Sequence, residues 1–74
     1  MKATFGEYIR QLRTDKGLTL TELAALLKLD SANLSKIENG KREFDEKRLD
    51  KLANAFELDF EKLKEEYFKQ LAQT

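Results

Sequence analysis

Apolar residues recur along this chain at spacings of three and four, the signature of helices with one face turned to a core. Phe5, Tyr8, Ile9 and Leu12 keep that spacing, as do Leu20, Leu23, Ala24 and Leu27, and again Leu49, Leu52, Ala53 and Phe56. A shorter stripe, Leu34 and Ile37, lies between the second and third sets. The last runs Phe60, Leu63, Tyr67 and Leu71, with Phe68 at its edge. No segment alternates with period two for long enough to make a strand. The helix starts are marked too. An apolar residue before the N-cap and another four after it form a hydrophobic staple. Leu18–Thr19–Leu23, Leu29–Asp30–Leu34, Phe44–Asp45–Leu49 and Leu58–Asp59–Leu63 all fit it. Thr4 with Glu7 and Thr19 with Glu22 read as capping boxes, and Gly17 and Gly40 suit the left-handed position past a helix end. The pattern predicts five helices, near 4–16, 19–27, 31–39, 45–56 and 59–72, in one all-α domain spanning 1–74.

Composition narrows the chemistry. The chain has no cysteine, histidine or proline, which excludes a disulfide framework, a Cys/His zinc site and a histidine general base. It has no glycine-rich phosphate loop and no plausible carboxylate dyad, and Glu61, Glu65 and Glu66 read as a solvated helix face. No catalytic residue, metal or cofactor is therefore expected. The longest uninterrupted apolar run is Leu23 to Leu27, so no membrane span is expected, nor a signal peptide, and the expected location is the cytoplasm. Fourteen basic residues balance fourteen acidic ones, which at first argues against a nucleic-acid partner. The balance is a sum of unlike halves. Residues 1–42 hold eight basic and five acidic side chains, net +3, whereas residues 43–74 hold six and nine, net −3. A basic half of this kind is compatible with oriented binding to a polyanion.

One junction carries more than the rest. The second helix ends near Leu27 and the third is capped by Asp30, leaving a tight turn at Lys28-Leu29-Asp30. Two short helices so joined make a helix-turn-helix, whose second helix can enter a DNA major groove. Turns this short also occur in helical bundles with no DNA role. The residues add specificity. The string from Gly17-Leu18-Thr19-Leu20-Thr21-Glu22-Leu23-Ala24 to Asp30, followed by Asn33-Leu34-Ser35-Lys36-Ile37-Glu38-Asn39-Gly40-Lys41-Arg42, resembles the phage repressor/Cro-type (XRE-like) helix-turn-helix family. Phe5 to Arg13 is similar to that family's first helix, Leu49 to Phe56 to its fourth, and Leu58 to Leu63 to the start of its fifth. The resemblance covers residues 4–64 and is most specific from Leu34 to Arg42. It implies a compact five-helix, lambda-repressor-like fold that binds double-stranded operator DNA as a homodimer and regulates transcription. Small members of the family include controllers of restriction–modification operons. Three positions depart from its pattern: Leu20 replaces a glutamine that commonly touches the DNA backbone, Lys28 replaces the glycine of the turn, and Phe44 replaces a proline.

The resemblance also assigns roles. At about 100° per residue, Leu34 and Ile37 point inward from the third helix, while Ser31, Ala32, Ser35, Lys36 and Asn39 fall on the opposite side. That face is small and polar, as close approach to base edges requires. Lys36 can donate to guanine, Ser31 and Ser35 can bond either base class, and Ala32 can touch a thymine methyl. Without the resemblance, a solvated helix face is the simpler reading. Thr19, Thr21, Asn39, Lys41 and Arg42 are the expected phosphate contacts. Arg13 and Glu38 are expected to pair across helices one and three as a structural ion pair. The apolar stripe continuing through Tyr67, Phe68 and Leu71, within the C-terminal segment 59–74, is the expected dimer interface. The contrasting reading is a protein-interaction module, such as an antitoxin-like bundle, that uses the acidic half or the last helix.

Overall fold

The computed structural model describes residues 4–72, with side chains through Lys69. Its elements are α1 (Phe5–Lys16), α2 (Leu20–Leu27), α3 (Ser31–Glu38), a single 3-10 turn (Glu46–Arg48), α4 (Leu49–Phe56) and α5 (Phe60–Ala72). No strand occurs among the described residues, and none of their helices is long and apolar enough to cross a membrane.

Local chemistry sets the starts and the stops. Thr4 Oγ1 accepts the Glu7 amide at 3.1 Å, and Asp30 Oδ1 accepts that of Asn33 at 2.7 Å. Thr19 makes both halves of a capping box: its hydroxyl accepts from the Glu22 amide, and its own amide donates to the Glu22 carboxylate at 2.8 Å. The ends of α1 to α4 close with the same pair of backbone bonds. At the end of α2, the Lys28 amide donates to Ala25 and the Leu29 amide to Ala24. Equivalent pairs occur at Gly17 and Leu18, at Gly40 and Lys41, and at Glu57 and Leu58. The closing residue is left-handed each time. That suits Gly17 (φ 74°), but Lys28 (φ 60°) and Glu57 (φ 54°) carry a Cβ there, at a cost of about 1–2 kcal/mol each. Leu18, Leu29 and Leu58 follow these positions and pack against the core while preceding the next N-cap. One residue thus closes a helix and orients its successor, which keeps the turns short.

The fourth helix begins later than its staple suggests. Asp45 Oδ1 reaches the amide of Lys47, two residues on, at 3.0 Å, and the Arg48 amide closes onto the Asp45 carbonyl at 2.9 Å. These bonds wind residues 46–48 into the tighter 3-10 turn, and α4 starts only at Leu49. The staple itself holds, because Phe44 and Leu49 are both buried.

The core gathers Ile9, Leu23, Leu27, Leu34, Leu49, Leu52 and Leu63, each worth about 1.5–3 kcal/mol of burial. An aromatic cluster closes one end. The Phe5 ring meets Tyr67 edge-on at 5.2 Å and Phe44 at 5.6 Å, and the Tyr67 hydroxyl donates to the Phe44 carbonyl at 3.0 Å. The expectation that Tyr67 needs a second copy to bury it is therefore corrected: at 7% exposure it belongs to its own chain's core. Its phenol has a place to go because a main-chain oxygen lies within reach. Phe68, one residue on, stays 43% exposed while its ring packs against Tyr67. The side chain of Leu71 lies outside the described residues.

Candidate nucleic-acid interface

α3 is held from behind and presented in front. Leu34 and Ile37 are buried on one side. On the other, Ser31, Ala32, Lys36 and Asn39 are exposed and Ser35 is half-buried. Thr19 and Thr21, at the start of α2, and Lys41 and Arg42, just past α3, are exposed as well. The amides at the two helix starts are partly used by the chain's own acids. Asp30 takes the Asn33 amide, and the Thr19 amide and hydroxyl hold the Glu22 carboxyl below its ordinary value. In α2 that leaves the Leu20 and Thr21 amides, and in α3 those of Ser31 and Ala32, without a partner inside the helix. A helix start with free amides favours an anion, so these four groups complement the threonine hydroxyls.

Behind the exposed face lies a charged network that holds the last residue of α3. Glu38 is 2% exposed, and its two carboxylate oxygens accept a fork from Arg13: Nε at 2.8 Å and Nη2 at 3.1 Å. Arg13 Nη1 donates onward to the Leu18 carbonyl at 3.0 Å, which ties the fork to the loop before α2. The hydrogen bond to Glu38 raises the Arg13 pKa further above its already high ordinary value, so this guanidinium stays charged. The arrangement locks α1, α3 and the α1–α2 loop together.

Arg10 joins the network, and the sequence reading did not single it out. Its Nε donates to Glu38 Oε1 at 3.3 Å and its Nη2 to Asn39 Oδ1. Asn39 Nδ2 in turn reaches Ser35 Oγ at 3.4 Å. A signal was present, since Arg10 and Arg13 are three apart and share a helix face. Gly6 is the other position without a sequence-level role. A Cβ built there would lie 1.9 Å from the Ile37 carbonyl oxygen, so α1 rests directly on the backbone of α3. Any side chain at this crossing would push the candidate reading helix away from the domain.

Five helices with a paired α2 and α3, and a small polar face on the second of them, define a helix-turn-helix domain. Residues 9–63 match the Helix-turn-helix family model. The chain belongs to the XRE-type helix-turn-helix family. It is 39% identical over 61 residues to the HTH-type transcriptional repressor RghR of Bacillus subtilis (strain 168), covering 81% of this chain and 45% of that protein. It is 50% identical over 38 residues to the uncharacterized HTH-type transcriptional regulator RghRB of the same organism, covering 51% of this chain and 27% of that protein. The chain thus spans less than half the length of these curated relatives. Among solved structures it is similar to the restriction-modification controller protein C.AhdI from Aeromonas hydrophila, with 37% identity and a TM-score of 0.70 over 80% of this chain and 89% of that one. It is also similar to the clp gene regulator ClgR from Corynebacterium glutamicum, with 29% identity and a TM-score of 0.70 over 92% and 72% of the two chains. The fold is the lambda-repressor-like one these regulators share.

Proposed function

We propose that this chain is a cytoplasmic, sequence-specific double-stranded DNA-binding transcriptional regulator that works without cofactor or metal. The observation that carries the reading is α3 itself. Leu34, Ile37 and Glu38 fix its inner side, and the outer side offers Ser31, Ala32, Ser35 and Lys36 with no large side chain in the way. On this reading those four residues meet base edges in the major groove, while Thr19, Thr21, Asn39, Lys41 and Arg42 grip phosphates on either side. The names of the similar proteins support regulation of transcription, and the likeness to C.AhdI supports control of a restriction–modification operon.

A homodimer on a palindromic operator completes the proposal. Phe68 and Phe60 expose 43% and 42% of their surface on α5. Pairing α5 with its copy about a two-fold axis buries Phe68 and sets two α3 helices about 34 Å apart, one turn of DNA. Tyr67 supports that face from beneath, through its ring contact with Phe68.

Selection of bound sequences from a library of random duplexes tests the whole reading. The expected result is a two-fold symmetric site whose binding weakens steeply with salt. Lys36→Ala should change the selected bases, and Arg42→Ala should weaken all sites alike. Phe68→Glu should convert a sedimenting dimer into a monomer and abolish the symmetry of the selected site. No duplex preference, together with a stoichiometric protein partner on purification, would replace the proposal with the interaction-module reading.

A further inference from the structure

The network behind α3 continues onto its base-facing side. We propose that Arg10, acting through Asn39, fixes the hydrogen-bonding polarity of Ser35, so that Ser35 offers DNA a donor and selects a base edge carrying an acceptor. This rests on the proposed reading of DNA by α3 and makes it more specific at one position.

The polarity follows from what each group is able to do. A guanidinium has N–H donors and no acceptor. The Asn39 atom that faces Arg10 Nη2 is therefore its carbonyl oxygen, and the amide nitrogen is turned the other way, onto Ser35 Oγ at 3.4 Å. That nitrogen can only donate, so Ser35 Oγ accepts from it and must direct its own proton elsewhere. The competing acceptor is the Ser31 carbonyl, four residues back, which takes the Ser35 amide within the helix and keeps a second lone pair that a serine hydroxyl can use. A base acceptor in the groove offers the hydroxyl proton a separate partner. The second Asn39 amide proton remains free for a phosphate, so the two roles of Asn39 are compatible.

What holds Asn39 in this orientation reaches down to the core. Glu38, 2% exposed and forked to Arg13, takes Arg10 Nε at 3.3 Å and so aims its outer nitrogen at Asn39. Arg10 itself is 44% exposed, so its role is orientation rather than stability. An unoriented serine satisfies either donor or acceptor on a base. An oriented one discriminates: guanine, adenine and thymine present acceptors in the major groove, whereas cytosine presents the N4 donor.

Reversing the relay tests it. Asn39→Asp keeps an acceptor for Arg10 and turns a second carboxylate oxygen to Ser35. The serine proton then points inward and its lone pairs outward. Bound sequences are selected from randomised duplexes with the wild type and with Ser35→Ala, Asn39→Asp, Asn39→Ala and Arg10→Met, with thermal melts confirming that each variant is folded. Ser35→Ala identifies the affected position by flattening its preference. There the wild type should disfavour cytosine by about tenfold, the worth of one hydrogen bond. Asn39→Asp should lift the penalty on cytosine and shift the preference towards the bases that carry a donor, cytosine N4 or adenine N6, and away from guanine and thymine, even as its added charge weakens every site. Asn39→Ala and Arg10→Met should relax the wild-type preference without that shift, which guards against a poorly folded Asn39→Asp. Retention of the wild-type preference by Asn39→Asp, or cytosine already favoured by the wild type, overturns the relay while leaving DNA reading by Lys36 intact. A Ser35→Ala profile identical to wild type also overturns it. A wild type that selects no sequence overturns both the relay and the proposed function.

Discussion

Replacing Arg13 with methionine strips the Glu38 carboxylate of two N–H groups, at 2.8 and 3.1 Å, and the Leu18 carbonyl of a third at 3.0 Å. The carboxylate that remains is 2% exposed, so water cannot take their place. Breaking a buried pair from one side costs about 3–5 kcal/mol. Arg10 still donates to Oε1 at 3.3 Å, which places the loss at the lower end, about 3 kcal/mol. Glu38→Gln keeps the shape and removes the charge. Arg13, at 16% exposure, then keeps partial hydration and its bond to Leu18, so the expected loss is about 2 kcal/mol. The double variant should lose about 2 kcal/mol less than the two single losses added together, because no charge is left buried alone. A domain of this length holds about 4–11 kcal/mol in all, so each single variant should melt well below the wild type. Urea unfolding of the four proteins at neutral pH, with m-values unchanged, measures the cycle. Additivity within about 0.5 kcal/mol would show that Arg13 and Glu38 act independently and refute the assignment of the fork as the clamp on α3.

Other substitutions test the rest of the scaffold. Gly6→Ala places a methyl group 1.9 Å from the Ile37 carbonyl oxygen, and should cost about 3 kcal/mol or more together with DNA affinity; an unchanged melting temperature would show that α1 and α3 separate freely. Tyr67→Phe leaves the buried Phe44 carbonyl without its partner and should cost about 1–3 kcal/mol in chemical unfolding; no loss would mean that water replaces the phenol. Burial, and then the carboxylates of Glu46, Glu43 and Asp45, push the Tyr67 hydroxyl above its ordinary value of 10.0. The fold therefore favours the neutral phenol. That contribution is complete below the ordinary value and is lost as pH rises through the raised one. Urea midpoints should accordingly fall less steeply in alkali for Tyr67→Phe than for the wild type, and parallel curves would contradict this. Lys28→Gly and Glu57→Gly relieve left-handed strain of about 1–2 kcal/mol against an entropic loss of about 0.5–1 kcal/mol, so calorimetry should show a gain of up to about 1.5 kcal/mol for each. A lowered melting temperature for both would refute that balance.

The features legible in the sequence are those settled within a few residues. Leu18–Thr19–Leu23 and Leu29–Asp30–Leu34 mark helix starts because a cap and its staple are local chemistry. Leu34 and Ile37 declare the inner side of α3 by periodicity alone. Asp45 misled because a cap and its staple mark where a helix starts but not how its first turn winds, and here the Arg48 amide closes onto the Asp45 carbonyl three residues back before α4 begins. Tyr67 was legible as apolar and inward-facing. That its cover is Phe5 and the Phe44 carbonyl, 23 residues away for the latter, depends on how α5 returns across the domain. Arg10 was hidden for a different reason: a charged residue on an amphipathic helix ordinarily faces water, and its link to Asn39 spans 29 residues.

The contact at Gly6 has a consequence for how this domain can vary. A crowded side chain can be accommodated by shrinking its neighbour, so most packing losses admit a compensating second mutation. Here the neighbour is a peptide oxygen of Ile37, which every amino acid at that position would supply alike. No substitution at position 37 can make room for a larger residue at position 6, and suppressors of Gly6→Ala must come from displacement of a whole helix. The spacing between α1 and α3 is thereby insulated from mutational drift. The side chains on the outer face of α3 remain free to diverge, so specificity can change over generations on a frame that does not move.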